Sequence, residues 1–185
     1  MRHWIAAVVV LVCGSCSQLP SADVPFAPTD NARAVVFDID GTLTPTPLKY
    51  RSVRRDAAGT VRHFADRGWE IVYLTARVGP LQSGIPNWLR EHGFPEGGVY
   101  VTETAEDRAD HARFKTRILR DFLAHGWKIE FAYGDSSSDF DAYAAAGIPK
   151  QRVFALRREG KEHCQPGVWN ACLTGWTDYL HSLAD

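Results

Sequence analysis

Short apolar runs alternate with longer amphipathic stretches along the chain from residue 33 onward. The runs are rich in β-branched and aromatic residues and are bounded by turn-forming residues, which is typical of buried strands. We predict strands at Ala34–Ile39, Glu70–Thr75, Val99–Thr102, Ile129–Tyr133 and Arg152–Leu156. The chain between them carries the helical period of apolar positions.

The stretches between the runs predict helices, each of which ends near a glycine, as helix C-termini commonly do. They are Val53–Arg67, Leu81–His92 with Pro86 as a weak point, His111–His125 and Asp139–Ala146. Five successive strand–helix units favour an α/β fold: a single Rossmann-like domain with a five-stranded parallel sheet and helices on both faces.

Length and charge narrow the classes of function. The chain of 185 residues carries a formal net charge of -1, so the domain at residues 33–185 gives no electrostatic reason to bind nucleic acid. The basic cluster Lys49–Arg55 is a local exception. We interpret it as a solvated loop and helix start in preference to a site for an anion or a lipid headgroup.

The first residues have the pattern of an export signal. A basic start, Met1–His3, precedes the apolar run Trp4–Val12, which is too short to span a bilayer. Gly14, Ser15 and Cys16 then resemble the end of a bacterial lipobox, although Cys13 stands where such boxes usually have leucine. We predict a lipoprotein signal peptide at 1–15, lipidation of Cys16 and a flexible tether at 16–32. Ordinary secretion and an uncleaved anchor are the alternatives.

Export would place the domain in the periplasm, anchored to a membrane, and to the outer membrane if the cell is Gram-negative. An oxidising compartment favours a disulfide between Cys164 and Cys172, the two cysteines of the domain. A metal site there is disfavoured because His163 is the only soft ligand nearby.

The candidate chemistry lies where the predicted strands end. Asp38 and Asp40 lie at the end of the first strand and Thr75 and Arg77 at the end of the second. Asp135 and Asp139 follow the fourth strand, and Lys115 lies on the helix before it. The carboxyl ends of parallel strands meet at one edge, where ligands of open α/β sheets bind. Clustered carboxylates repel one another unless a hard divalent cation joins them. A helix cap or a solvated Asp-Gly turn is the alternative explanation for the first pair.

In order and spacing this set resembles the motifs of the haloacid dehalogenase superfamily of phosphatases, over Ala34 to about Gly160. The resemblance implies that Asp38 is the nucleophile that forms an aspartyl-phosphate and that Asp40 is the general acid. It also implies a Mg²⁺ ion held by Asp38, the backbone carbonyl of Asp40 and Asp135.

The remaining positions of the motifs imply supporting roles. Thr75 and Lys115 match groups that hold the transferring phosphoryl oxygens. Asp139 matches a residue that orients metal-bound water, and it is equally suited to cap the following helix. Too few residues separate Gly41 from the next helix, or Thr75 from Lys115, to hold a cap domain. An open site suits a bulky or surface-presented substrate.

Local detail is similar to the carboxy-terminal catalytic domain of lipins, which are Mg²⁺-dependent phosphatidate phosphatases, with related domains in phosphatidylinositol-transfer proteins. The matching segments are 38–44, 73–77, 87–89, 114–115 and 142–154. The resemblance implies a phospholipid substrate and makes Arg77 a headgroup contact or a structural ion pair. Where lipins usually have Gly-Asn-Arg, this chain has Gly134, Asp135 and Ser136, and export is foreign to those cytosolic enzymes.

Three functions therefore stay open. The first is hydrolysis of phosphatidate at a membrane. The second is a periplasmic acid phosphatase for small soluble phosphomonoesters. The third is a phosphatidate-binding module without catalysis, since some relatives in lipid-transfer proteins have lost the nucleophile, although this chain has both Asp38 and Asp40.

Overall fold

β1 (Arg33–Phe37) lies at the centre of a parallel sheet in the computed structural model, which describes residues 18–184. The sheet has six strands in the order β3-β2-β1-β4-β5-β6, and every neighbouring pair is parallel. The other strands are β2 (Glu70–Thr75), β3 (Gly98–Val101), β4 (Lys128–Gly134), β5 (Val153–Leu156) and β6 (Ala171–Leu173). The order reverses between β1 and β4, so a crevice opens there at the carboxyl ends of the strands.

Helices cover both faces of the sheet. They are α1 (Ala57–Ala65), α2 (Ile85–Glu91), α3 (Ala105–Ala109), α4 (His111–Ala124), α5 (Ser137–Ala145) and α6 (Thr177–Ala184). Alternate residues of β1 enter two cores: Val36 packs with α4 and α5, and Phe37 packs with α1, α2 and α6. Because both faces are buried, β1 is apolar from Ala34 to Phe37.

The predicted fold is confirmed: the domain is α/β, with a parallel sheet, helices on both faces and, among the described residues, no inserted cap. The strand count was wrong, because a sixth strand forms at Ala171–Leu173. That strand has three residues, none of them buried, and it pairs with β5 at the sheet edge. Such a short edge strand has too weak an apolar pattern to be recognised.

Two helices begin later than predicted. α1 begins at Ala57 because Asp56 has a left-handed backbone (φ 60°) and the Arg54 amide bonds the Leu43 carbonyl. Pro86 lies in the first turn of α2, where the missing N–H of proline costs no helical hydrogen bond. Pro86 is therefore part of the helix start and does not weaken its middle.

The segment at 18–32, expected to be a flexible tether, instead lies along the domain. The Ala22 amide bonds the Val99 carbonyl and the Ala27 amide bonds the His125 carbonyl. Leu19, Val24 and other apolar residues of the segment pack against the cores. Backbone pairing and apolar burial hold a stretch whose composition alone suggests flexibility.

Cys164 and Cys172 form a disulfide across the loop that leads into β6. The predicted signal peptide and Cys16 lie outside the described residues. Within the described part of the chain, none of the helices has the length and apolarity required to cross a bilayer.

Candidate functional site

A pocket of about 310 Å³ opens at the carboxyl edge of the sheet, between the ends of β1, β2 and β4. Its lining includes polar and charged side chains from several parts of the chain, among them Asp38, Asp40, Thr75, Arg77, Lys115, Asp135 and Arg158. The structure therefore brings every predicted catalytic and metal-binding residue to one place, and the supporting Asp139 lies directly behind them.

Asp38 and Lys115 form the buried centre of this pocket. The Lys115 ammonium donates to Asp38 Oδ1 at 2.6 Å and to Asp139 Oδ1 at 2.5 Å, and all three residues are at most 4% exposed. The second oxygen of Asp38, Oδ2, is buried without a hydrogen-bond partner among the described residues. A buried carboxylate oxygen normally has a partner, so this atom is suited to contact a ligand.

The charges of the centre are unbalanced. Burial raises the pKa of Asp38 well above its usual value, against the opposing effect of Lys115. Burial and the neighbouring Asp139 raise the pKa of Asp135 to about 6, although Arg158 opposes the shift. Burial alone would lower the pKa of Lys115, but Asp139 and Asp38 hold it above its usual range. Burial therefore disfavours the ionised forms of Asp38 and Asp135 by more than the nearby cations favour them.

The carboxylate of Asp40 is held by the end of β2. Arg77 donates from Nη2 to Oδ1 at 2.6 Å and from Nε to Oδ2 at 2.9 Å. The Thr75 hydroxyl donates to Oδ2 at 3.1 Å and accepts the Arg77 amide. Arg77 was predicted to be either a headgroup contact or part of a structural ion pair, and the structure shows the ion pair. The hydroxyl of Thr75, which matches a group that holds phosphoryl oxygens, contacts Asp40 in this structure.

Asp139 caps α5 and fixes Lys115. Its Oδ2 accepts from the amides of Asp135 and Ser136 and from the Ser136 hydroxyl, which forms a capping box with Ser136. Burial would raise the pKa of Asp139, but Lys115 and the bonds from Ser136 hold it below its usual value. The predicted helix cap is therefore present, and both carboxylate oxygens of Asp139 have hydrogen-bond partners within the protein.

Asp135 packs directly against the turn after β1. A Cβ on Gly41 would lie 2.0 Å from Asp135 Oδ2, and Gly41 has a φ of +92°. Only glycine allows both this backbone conformation and the close carboxylate. The Gly41 amide donates to the Thr44 hydroxyl at 2.8 Å, which fixes the turn.

The donor set fits a hard divalent cation. Carboxylate oxygens of Asp38, Asp135 and Asp139 lie within 4.8 Å of one another. Asp38 Oδ2 lacks a partner among the described residues. Burial, with a smaller contribution from neighbouring carboxylates, raises the pKa of Asp38 and of Asp135, so a cation there would stabilise their ionised forms. Since Asp139 is already satisfied, Asp38 and Asp135 are the carboxylates that could hold the ion. The side chain of Asp40 is not in this cluster.

Sequence reasoning missed two arginines. Arg54, assigned to a solvated basic cluster, donates to the carbonyls of Gly41 at 2.7 Å and Arg157 at 2.8 Å, and so ties the turn after β1 to the end of β5. Arg158 pairs with Asp135. Arg158 follows the fifth strand closely, so the rule applied to the other strand ends would have found it. No local signal distinguishes Arg54.

Solved structures with the same architecture define the class of fold. A putative HAD-like phosphatase from Mesorhizobium loti superposes with a TM-score of 0.61 over 88% of each chain at 15% identity. A chain of the Pnkp1/Rnl/Hen1 RNA repair complex gives a TM-score of 0.54 at 17% identity, covering 80% of this chain and 46% of that one. The protein has a haloacid dehalogenase-like phosphatase fold.

Sequence comparison identifies the family within that fold. Residues 35–157 match the family model "PITM 1-3, LNS2 domain", and the chain belongs to this LNS2 family of lipin-like domains. It is 32% identical over 133 residues to human membrane-associated phosphatidylinositol transfer protein 3 and to Drosophila melanogaster protein retinal degeneration B. The match covers 70% and 69% of this chain but only 13% and 10% of those proteins. The family and fold define a phosphatase-type or lipid-binding domain.

Proposed function

We propose that this protein is a Mg²⁺-dependent phosphatase that hydrolyses a lipid phosphomonoester, with phosphatidate as the leading candidate. The observation that carries the proposal is Asp38: it lines the pocket, Lys115 fixes one of its oxygens, and the other has no partner among residues 18–184. A fixed carboxylate with a free oxygen is suited to attack phosphorus.

In the proposed reaction Asp38 attacks phosphorus, so that an Asp38–phosphorus bond forms and the bond from phosphorus to the leaving oxygen breaks. Asp40 gives its proton to that oxygen and then takes a proton from the water that hydrolyses the aspartyl-phosphate. Arg77 and Thr75 would orient Asp40. When bound by Asp38, the Asp40 carbonyl and Asp135, Mg²⁺ supplies charge neutralisation for the phosphoryl oxygens.

The proposal of a lipid substrate rests on the family to which the chain belongs and on the open mouth of the pocket. The LNS2 match and the names of the relatives, which are phosphatidylinositol transfer proteins, support contact with phospholipid. Between β1 and α1 the chain has only a short 3-10 turn at Pro47–Lys49, so the pocket mouth stays open to a substrate embedded in a surface.

Lipid binding without catalysis is the second candidate, and one observation favours it. Arg77 donates to both oxygens of Asp40 and Thr75 donates to Oδ2 as well, so protein groups already occupy the carboxyl group that hydrolysis needs as an acid. In that case the pocket would retain phosphatidate without releasing phosphate.

Phosphate release from a substrate panel tests these alternatives. Phosphatidate in mixed micelles, glycerol 3-phosphate and a nucleotide are compared with Mg²⁺ and with excess chelator, and Asp38→Asn serves as the blank. We expect Mg²⁺-dependent release, fastest from phosphatidate and absent in Asp38→Asn. Faster release from the soluble esters would favour the acid phosphatase. Retention of phosphatidate without release in the wild type would favour the binding module.

We further propose that the protein is exported and anchored through Cys16. The support is the sequence pattern before residue 17. Palmitate labelling in a bacterial host should mark the wild type and fail with Cys16→Ala. Equal labelling of both would refute the anchor.

A further inference from the structure

Three exposed apolar side chains stand at the mouth of the pocket. Leu48 is 91% exposed, Val78 58% and Leu81 36%. Val78 and Leu81 line the pocket directly, and Leu48 follows Pro47, which also lines it. We call Leu48, Val78 and Leu81 the apolar rim. Leu48 comes from the turn after β1, and the other two come from the segment after β2, so all three lie at the carboxyl edge of the sheet.

A second groove continues from the rim. It has a volume of about 380 Å³ and is lined by Tyr50, Leu81 and Trp88 among others. Tyr50, Arg77 and Leu81 border both this groove and the catalytic pocket. The groove is therefore continuous with the catalytic pocket, and Leu81 of the apolar rim lies on the border between the two.

The described chain also enters the fold at this edge. The Gln18 side-chain amide donates to the Thr102 carbonyl at 2.6 Å, just past the end of β3. The same side chain lies beside Gly79, between Val78 and Leu81 of the rim. Cys16 is two residues before Gln18, and two extended residues reach only about 7 Å. An anchor at Cys16 would hold the rim close to the membrane.

The charge next to the rim suits an anionic surface. Lys49 and Arg51 are exposed and flank Tyr50 directly after Leu48. Lys49 pairs with Glu159 at 2.5 Å, whereas the Arg51 guanidinium lies over the Tyr50 ring, 5.6 Å from its centroid. Apolar side chains for the acyl region beside cations for the headgroups form the pattern of an interfacial membrane contact.

We propose that the apolar rim docks on a bilayer containing anionic lipid and seats the mouth of the catalytic pocket against it. The inference rests on the proposed function in that it takes a membrane lipid as the substrate. It explains why three large apolar side chains are exposed around an otherwise charged pocket. It also gives a role to Arg51, which forms no ion pair with another of residues 18–184.

Hydrogen–deuterium exchange of the full chain tests the docking. The vesicles contain phosphatidylcholine and phosphatidylglycerol, which form an anionic bilayer but offer no phosphomonoester to the catalytic site. We expect slower exchange in peptides covering residues 46–52 and 77–83 and no change at residues 120–126. Leu123, which is 40% exposed on α4 at the opposite end of the sheet, is the matched apolar control.

The double variant Leu48→Ser/Val78→Ser should raise the vesicle concentration needed for half-maximal protection about a hundredfold, since burial of each of the two side chains is worth roughly a factor of ten in binding. Leu123→Ser should behave as the wild type. Unchanged thermal midpoints would show that all variants fold. The proposal is overturned if the rim shows no protection, if the double variant is protected as well as the wild type, or if protection appears without vesicles as protein concentration rises.

Phosphate release from vesicles that also contain phosphatidate separates this proposal from the phosphatase. Rim protection without release would support docking and refute hydrolysis. Release without rim protection would support hydrolysis and refute docking.

Discussion

Arg77 holds the carboxylate of Asp40 through both oxygens, with its Nη2 2.6 Å from Oδ1 and its Nε 2.9 Å from Oδ2. The side chain of Arg77 is 5% exposed and that of Asp40 is 17% exposed, so the pair lies largely out of water. A bidentate pair of this kind fixes direction as well as charge. The end of β2 therefore sets where the proposed acid points.

The first prediction concerns Arg77→Ala. We expect kcat for an alkyl phosphomonoester to fall about 10²-fold or more, since a positioned general acid contributes roughly 10²–10⁴-fold. For p-nitrophenyl phosphate, whose leaving group needs little protonation, the loss should be much smaller. Asp40→Asn should show the same dependence on leaving group. Equal losses for both esters in Arg77→Ala would contradict a role through Asp40.

The second prediction concerns Lys115→Met, which removes the buried cation between Asp38 and Asp139. Breaking a buried ion pair typically costs about 3–5 kcal/mol of unfolding free energy. We expect a loss of that size in urea denaturation. Lys128→Met, at an exposed lysine bonded to Asn31, should change stability by less than about 0.5 kcal/mol. Similar effects of the two changes would show that the buried network contributes little.

The third prediction compares two glycines with positive φ. Gly68 has a φ of +73° and open space where a Cβ would lie, whereas a Cβ on Gly41, which has a φ of +92°, would lie 2.0 Å from the Asp135 carboxylate. Gly68→Ala should cost only the backbone strain, about 1–3 kcal/mol. Gly41→Ala should cost more and should also weaken Mg²⁺ binding, because Asp135 must move. Calorimetric titration with Mg²⁺ and urea denaturation measure the two effects. Wild-type Mg²⁺ affinity in Gly41→Ala would contradict the assignment of Asp135.

The fourth prediction concerns the disulfide, which closes a loop between residues eight positions apart. By the loop-entropy relation, Cys164→Ser/Cys172→Ser should lower the unfolding free energy by about 2–3 kcal/mol. A reducing agent should produce a similar loss in the wild type and none in the variant. If the reducing agent also lowered the unfolding free energy of the double variant, its effect on the wild type could not be assigned to this disulfide.

The sequence predicted five of the six strands of the sheet, and it also predicted the residues that the structure brings together in the pocket. Asp38, Thr75 and Asp135 follow recognisable apolar runs, and parallel topology brings such ends together whatever the details of packing. The strand β6 was not predicted because its three residues are not buried, and an edge strand needs no continuous apolar pattern. The segment at 18–32 was misjudged because its composition resembles a linker, whereas hydrogen bonds to distant residues such as Val99 hold it in place.

The sequence by itself determined that the chain forms a parallel α/β sheet and that aspartates, a threonine and a lysine gather at one edge. Local periodicity and strand topology suffice for that conclusion. The tertiary structure alone decided which charges pair: Arg77 with Asp40, Lys115 with Asp38 and Asp139, and Arg158 with Asp135. Each carboxylate has several candidate cations in the sequence. Their choice depends on distances of a few ångströms and on burial, which appear only when residues far apart in the chain are packed together.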